Sequence, residues 1–331
     1  LHSGPSATPP HTTRLNGAFV RHNGAVTHAI DHPFRDPAAH DNPHRPDDLR
    51  RLRPEVNPLA PNIRLVVTDM DGTLLRPNHH LPEGLEPILQ AMARRNIVFA
   101  PASGRQCAAL TAQFPAVPGH SLIIAENGTN VVMDGELIYS SPLDPQVVRR
   151  TIIRVRELRA AGIDCAAVVC HPECGYVERD DEPFLREVTP YYLSHEVTTD
   201  LLDTHNGAVC EGAVKVAIHC FDDAETVLAP RMADFAELCQ VTVSGQHWID
   251  MSNVGTNKGS ALSQVQGRLG ISRDETVVFG DYLNDLAMMD CATMSFAMAN
   301  AHPRVIDKAA YLAPPNTEDG VVQVLSALLG L

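Results

Sequence analysis

Apolar runs of strand length alternate with segments of helical periodicity in two parts of the chain, residues 61–142 and 251–331. The first run, within Ile63 to Thr68, predicts a buried strand. The segment that follows, Pro82 to Arg95, carries apolar residues at spacings of three and four, which predicts an amphipathic helix. Strands that alternate with helices are typical of βαβ units. The pattern therefore predicts an α/β fold with a Rossmann-like parallel sheet as its core.

The same pattern predicts the other elements of this core. A hairpin is expected around Asp134-Gly135, because that dipeptide lies between two apolar runs. Further strands are expected at residues 96–100, 122–125, 275–279 and 294–298. Helices are expected at residues 107–114, 258–269 and 317–329, with another that ends at Met289.

Residues 143–250 follow a different pattern, which mixes short strands with helices. A long amphipathic helix is expected at residues 144–161 and a second helix at residues 223–235. Strands are expected at residues 165–170, 175–178, 213–220, 240–244 and 247–251. An α+β segment inside an α/β pattern predicts an inserted cap domain at residues 143–250, between the two halves of the core.

Residues 1–60 show no sustained apolar period. They hold nine of the 25 prolines and seven of the 16 histidines of the chain. This composition predicts a flexible N-terminal extension.

Composition and charge exclude several classes of protein. The net charge of -14 disfavours nucleic acid or an anionic membrane as a partner, and no apolar run approaches the roughly 20 residues of a membrane helix. The eight cysteines are dispersed, so we expect reduced thiols in a cytoplasmic protein. Cys170 and Cys174 could form half of a zinc site, although no second close pair accompanies them and ordinary loop residues are the simpler interpretation.

Two carboxylates follow the first predicted strand. Asp69 and Asp71 are one residue apart and are followed by Gly72. Alternate residues of an extended segment point the same way, so both can face a site at the strand end where parallel sheets bind ligands. Two acids this close repel each other unless they share a cation or a proton. We therefore expect a metal site that includes a nucleophile or an acid.

Three further polar clusters end, or closely follow, predicted strands of the core. They are Ser103-Gly104-Arg105, Lys258 at a helix start, and Gly280-Asp281 with Asn284-Asp285. Taken in order with the Asp69 stretch, they resemble the motifs of the haloacid dehalogenase-like (HAD) hydrolase superfamily. The closer resemblance is to its Cof-type phosphatases, which carry a large C2-type cap. Alone, Ser103-Gly104-Arg105 could be an ordinary strand-to-helix turn, and Lys258 could be a solvated lysine.

The resemblance implies a Mg²⁺-dependent phosphatase that works through an aspartyl-phosphate intermediate. It implies Asp69 as the nucleophile, Asp71 as the acid and base, and Lys258 as the group that neutralises phosphoryl charge. The implied metal positions are Asp69, Asp71 through its backbone carbonyl, Asp281 and Asp285. The implied phosphate-binding positions are Gly72, Ser103, Gly104, Arg105 and Asn284. Oxygen-only ligands of this kind suit Mg²⁺.

The expected substrate is a small phosphorylated metabolite, either a sugar phosphate or a phosphorylated cofactor, which the cap selects. A phosphomutase and a non-catalytic phosphometabolite sensor are the alternatives, although a sensor has no need of Asp71. Lys215 alternates with apolar residues, so it is either exposed or a substrate ligand, and Asn127-Gly128 is either a plain turn or a substrate contact. The polar cap residues that could face a substrate, most of which are merely solvated in a mixed domain, are His171, Glu173, Glu178, Arg179, Lys215 and Trp248.

Overall fold

The computed structural model describes residues 62–114, 121–203 and 209–331. The extension predicted at residues 1–60 lies outside these ranges. Within them, no helix is both long and apolar enough to cross a membrane. All eight cysteines lie in the described ranges, and each is a free thiol, as predicted.

The strands and helices of the described ranges are numbered in chain order. The strands are β1 (Leu65–Thr68), β2 (Val98–Pro101), β3 (Leu122–Ala125), β4 (Asn130–Met133), β5 (Glu136–Ser140), β6 (Cys165–Cys170), β7 (Gly175–Val177), β8 (His195–Val197), β9 (Lys215–Cys220), β10 (Gln240–Gly245), β11 (Trp248–Ser252), β12 (Thr276–Gly280), β13 (Met294–Met298) and β14 (Tyr311–Ala313). The helices are α1 (Leu85–Arg94), α2 (Cys107–Gln113), α3 (Pro145–Ala160), α4 (Glu182–Val188), α5 (Lys258–Leu269), α6 (Leu286–Met289), α7 (Pro303–Lys308) and α8 (Gly320–Leu329).

The core is a five-stranded parallel sheet in the order β14-β13-β12-β1-β2. Its strand β1, which lies between β12 and β2, is fully buried, because its apolar run is covered on both faces. Thr68, the last residue of β1, pairs with Phe279 of β12 and with Pro101 of β2. The loops that leave these three strands therefore start at one edge of the sheet, where the predicted α/β fold places a ligand site.

A second sheet has the order β10-β11-β9-β6-β7-β8 and carries the apolar residues of the inserted region on both faces. Alternate residues of β9 point to opposite faces. Val216 and Ile218 pack with α3, whereas Ala217 packs with Phe184 of α4. This sheet forms the cap, and the strand β11 leads from it back to the core.

Several predicted elements differ from those observed. The single helix predicted at residues 223–235 is wrong, because the segment forms three short helical turns, a π-helical one at Ala224–Leu228 and 3₁₀ turns at Ala229–Arg231 and Ala233–Glu237. Pro230 lies in the middle turn, and a proline cannot donate the hydrogen bond that a continuous helix needs. The short elements α7 and β14 were not predicted, since three to six residues carry too little periodicity to stand out.

Candidate active site

The Asp69 stretch lies where β1 meets the edge of the sheet. The Asp69 backbone N–H donates to the Phe279 carbonyl (3.0 Å), which ties the strand end to β12. The turn that follows contains Gly72 at φ +80°, and a Cβ on this residue would lie 2.2 Å from Oδ2 of Asp281. Only glycine allows so close an approach with this backbone conformation. The first and last predicted motifs are therefore in direct contact.

Three buried or half-buried carboxylates converge at this point. Asp69, Asp281 and Asp285 each offer an oxygen within 4.8 Å of the others, and among the described residues they are the one group of three or more such side chains suited to a metal ion. Burial raises the pKa of Asp69 to about 7, and the charge of Asp285 adds to this effect while Lys258 opposes it. Burial, followed by the charges of Asp69 and Asp285, raises the pKa of Asp281 well above its usual range. The cluster therefore favours a bound cation.

Lys258 is the cation that the protein itself provides. It is the first residue of α5, which begins there because Asn257 and Ser260 form a capping box. Its ammonium is fully buried, contacts the Asp69 carboxylate and donates to Oδ1 of Asp285 at 2.8 Å. Burial would lower the pKa of Lys258, but Asp285 and Asp69 outweigh burial and raise it, so the side chain stays charged. The alternative of a solvated lysine is wrong.

The loop after β12 is shaped by Asp285. Its Oδ2 accepts the backbone N–H groups of Asp281 (2.9 Å) and Tyr282 (3.1 Å), while Oδ1 accepts from Lys258. Asp281 also accepts a hydrogen bond from the Thr73 hydroxyl at 2.8 Å. Asp285 therefore has both oxygens engaged by the protein and holds the position of Asp281.

Asp71 is held by groups other than the carboxylate cluster. Arg105 donates to both of its oxygens, at 2.7 Å from Nε and 2.5 Å from Nη2, and Nδ1 of His79 lies 3.1 Å away. Burial would raise the pKa of Asp71, but the hydrogen bonds from His79 and Arg105 outweigh burial and lower it to about 2. Arg105 also donates to the Pro190 carbonyl (3.1 Å) and lies 4.8 Å above the Tyr191 ring. Arg105 thus joins the core to the cap.

A cleft of about 430 Å³ lies between the core and the cap. Its core side holds the predicted site residues Asp69, Asp71, Gly72, Ser103, Gly104, Arg105, Asp281 and Asn284, together with Tyr282. Its cap side is formed by Glu187, Tyr191, Tyr192, Lys215, Trp248, Asp250 and the segment 244–247. Lys258 and Asp285 lie behind this surface, fully buried. The structure therefore brings the predicted core motifs to one cleft.

Most of the cap residues considered from the sequence are directed elsewhere. Lys215 and Trp248 line the cleft, but the other four do not. Glu178 pairs with Arg156, and Arg179 pairs with Asp164 and Asp181. Among the described residues, neither Cys170 nor Cys174 belongs to a group of three or more side chains that could hold a metal ion. Within that part of the chain, the two cysteines therefore have no third potential zinc ligand close to them.

Sequence reasoning missed several residues of the cleft and its surroundings. Glu187 and Tyr191 lie in the stretch for which no regular pattern was recognised. His247 was predicted as the first residue of the strand 247–251, but it lies in the turn before β11. The one available signal was the aromatic pair Tyr191-Tyr192 in an otherwise polar segment. Whether such a pair faces a ligand depends on the packing of α4 against the cap sheet, which the sequence pattern does not reveal.

The chain has extensive similarity to known proteins. A family model described as haloacid dehalogenase-like hydrolase matches residues 66–325. The 5-amino-6-(5-phospho-D-ribitylamino)uracil phosphatase YbjI of Escherichia coli is 27% identical over 270 residues, which cover 81% of this chain and 97% of the relative. An HMP-PP phosphatase of Cronobacter sakazakii is 27% identical over 262 residues, which cover 75% of this chain and 89% of the relative.

A solved structure agrees with the fold described above. The crystal structure of SMU.1108c from Streptococcus mutans superposes with a TM-score of 0.73 and 25% sequence identity, and the match covers 81% of this chain and 100% of that one. On the family match and this shared fold, the chain belongs to the haloacid dehalogenase-like hydrolase family, in its Cof-type branch.

Proposed function

We propose that this protein is a Mg²⁺-dependent phosphatase that hydrolyses a small phosphorylated metabolite through an aspartyl-phosphate on Asp69. The observation that carries this proposal is the convergence of Asp69, Asp71, Lys258 and Asp281, from three separate segments, beneath a cleft closed by the cap. Each of the chemical roles that hydrolysis of a phosphate monoester needs can be assigned to one of them.

The donor set fits a magnesium ion. Asp69, Asp281 and the backbone carbonyl of Asp71 would hold it, and Asp285 would support it from behind. The single charge of Lys258 does not balance three adjacent carboxylates, so a divalent cation completes the site. When bound, such an ion neutralises charge on the transferring phosphoryl oxygens.

The first half of the reaction transfers the phosphoryl group to the protein. An Asp69 carboxylate oxygen attacks phosphorus, the bond to the leaving oxygen breaks, and Asp71 donates a proton to that oxygen. Ser103 and Lys258 bind the phosphoryl oxygens. Because Arg105 holds Asp71 ionised in this structure, we infer that the substrate phosphate draws Arg105 away and so allows Asp71 to carry the proton.

The second half regenerates the enzyme. Asp71 accepts a proton from water as the water oxygen attacks phosphorus, and the bond from phosphorus to the Asp69 oxygen breaks. Inorganic phosphate and the free Asp69 carboxylate are the products. The cap covers the cleft during both steps and limits access of bulk water.

The cap side of the cleft suits a leaving group with a flat ring. The Tyr191 and Trp248 rings lie 5.4 Å apart and both line the cleft, next to the polar groups Glu187 and His247. One relative is named for a phosphorylated uracil and another for HMP-PP, so we propose phosphorylated pyrimidines and HMP-PP as the first compounds to assay. Sugar phosphates remain in the same panel as the alternative class.

The test is phosphate release from p-nitrophenyl phosphate and from the metabolite panel, with Mg²⁺ or with EDTA. The wild-type protein should turn over only with Mg²⁺, and Asp69→Asn should lose at least about 10³-fold in kcat. Asp180→Asn, at an exposed carboxylate that does not line the cleft, is the matched control. Unchanged turnover in Asp69→Asn would rule out the covalent route, and phosphate transfer without release would instead indicate a mutase.

A further inference from the structure

A second cluster of buried charges lies at the junction of the core and the cap. It consists of Lys215 at the start of β9, Asp250 on β11, and Glu126 directly after β3. Their side chains are 1%, 3% and 1% exposed, respectively. The Lys215 ammonium lies 2.6 Å from Oε2 of Glu126 and 3.3 Å from Oδ1 of Asp250. Removing three charged groups from water is unfavourable unless their contacts are closely matched.

The ammonium of Lys215 has a third partner in the core. Nζ donates to the Gly104 carbonyl at 2.8 Å. Of the three groups around the ammonium, the Gly104 carbonyl accepts a hydrogen bond, whereas the Glu126 and Asp250 carboxylates lie at ion-pair distance. Lys215 lines the cleft, yet these protein groups surround its ammonium. The predicted alternative of an exposed lysine is therefore wrong. The other alternative, a substrate ligand, stays a prediction for a buried lysine whose ammonium already contacts the protein.

The Gly104 contact completes a set of hydrogen bonds to one loop. The Ser103 carbonyl accepts from the Asn127 backbone N–H (2.9 Å), and the Arg105 carbonyl accepts from the Glu126 backbone N–H (3.1 Å). Both donors belong to the turn after β3, which is part of the core. The carbonyl between them, that of Gly104, accepts from the cap sheet through Lys215. The position of this loop therefore depends on both domains.

The turn that supplies these donors is itself held by the cluster. Glu126 and Asn127 have φ values of 51° and 55°, a conformation that is unfavourable for residues other than glycine. The Asn127 amide donates to the Asp250 carboxylate and its Oδ1 accepts from Asn284 at 2.9 Å. Contacts from β11 and from the loop after β12 thus stabilise the strained turn.

We propose that Lys215 is a positioning residue that couples the seating of the cap to the geometry of the loop Ser103–Arg105. While the cap sheet is docked, Lys215 holds the Gly104 carbonyl and so fixes Ser103 and Arg105 at the cleft. When the sheet moves away, that carbonyl loses its donor and the loop loosens. The role of the loop in binding phosphate rests on the proposed function, whereas the coupling itself rests on the contacts described.

Two variants separate positioning from charge balance. Lys215→Met removes the Gly104 contact and leaves two uncompensated carboxylates. Lys215→Met/Glu126→Gln also removes the contact but restores the net charge of the cluster, since one cation and one anion are lost together. If Lys215 positions the loop, the double variant should fold with a near-native melting temperature and still lose about 10²-fold in kcat/KM. Lys308→Met, at a half-exposed lysine paired with Asp290, is the matched control.

Two measurements report on the loop independently of turnover. Trp248 is the single tryptophan of the chain and lines the cleft, so its fluorescence can follow titration with inorganic phosphate in Mg²⁺. We expect at least about tenfold weaker phosphate binding in the double variant, and faster hydrogen exchange of the amides at residues 103–106.

Recovery of kcat/KM and of phosphate affinity in the double variant would overturn the proposal, because it would show that Lys215 only balances charge. Unchanged hydrogen exchange of the loop in both variants would also overturn it. If the wild-type protein neither hydrolyses nor binds phosphate, the proposed function fails, and the hydrogen-exchange comparison still decides whether Lys215 holds the loop.

Discussion

Replacing Lys258 with methionine removes the ammonium that contacts the proposed nucleophile Asp69 and its neighbour Asp285. The ammonium is fully buried and contacts Asp69 and Asp285, so methionine, of similar length, would leave these acids without compensation. Breaking a buried ion pair from one side costs about 3–5 kcal/mol. For a domain of this size, about 2 °C of melting temperature is lost per kcal/mol. We therefore expect Lys258→Met to melt roughly 6–10 °C below the wild-type protein in EDTA.

Added Mg²⁺ should reverse much of this loss. A ligand that binds only the folded state, at a concentration of 100 times its Kd, stabilises that state by about 2.7 kcal/mol. The variant should gain more than the wild-type protein, because its carboxylates lack a competing cation and attract the ion more strongly. Turnover should nevertheless stay at least about 10²-fold below that of the wild-type protein, since the phosphoryl charge is no longer neutralised from this side.

The assay is thermal unfolding followed by circular dichroism, in EDTA and across a Mg²⁺ titration. Lys308→Met is the control, because Lys308 is 41% exposed and a surface pair contributes at most about 1 kcal/mol. A Lys258→Met protein that melts within roughly 2 °C of the wild-type protein in EDTA would refute the reasoning. An equal gain from Mg²⁺ in both proteins would also contradict it, since Lys258 would then not compensate the carboxylates proposed to bind the metal.

Three further predictions follow from individual contacts. Asp71→Asn should keep Mg²⁺ affinity but lower kcat by about 10²-fold or more, with a larger loss for an alkyl phosphate than for p-nitrophenyl phosphate, because a poor leaving group needs its proton most. Burial lowers the pKa of His219 to about 4. Below about pH 6.5 the unfolded chain therefore takes up a proton on this side chain, whereas the folded protein resists protonation. Stability should therefore fall by on the order of 2 kcal/mol from pH 7 to pH 4, and His219→Phe should flatten that slope in urea titrations. Gly128→Ala should destabilise more than Gly162→Ala in the same titrations, since both glycines have positive φ but only at Gly128 would the new Cβ lie 2.4 Å from the Asn257 carbonyl oxygen.

Much of the core was predictable because its signals are local. The apolar run before Asp69 marks a buried strand, and the Asn257 cap marks the start of α5 at Lys258. These signals depend on residues close together in the chain. The cap was predicted as an α+β insertion, but its details were not, because the break at Pro230 and the short elements α4 and β8 depend on packing rather than on periodicity.

For the candidate site too, some features were predictable from the sequence and others were not. Asp69, Asp71, Ser103, Arg105 and the Asp281 segment were identified from motif order, since each must follow a strand to reach one edge of the sheet. Their partners were not identified. The contact of Arg105 with Asp71 joins residues 34 positions apart, and that with Pro190 spans 85 positions. No local pattern specifies contacts at such separations.

The sequence by itself determined the strand ends, the carboxylates placed there and the inserted segment, because each depends on apolar spacing and on residue type. Only the tertiary structure decided where the Lys215 ammonium lies. By its alternation with valines, Lys215 lies on a face opposite Val216, yet that face is covered by the core, where Glu126, Asp250 and the Gly104 carbonyl surround the ammonium. The physical reason is that a strand pattern specifies which face a side chain occupies, whereas burial of its charge depends on the domain packed against that face.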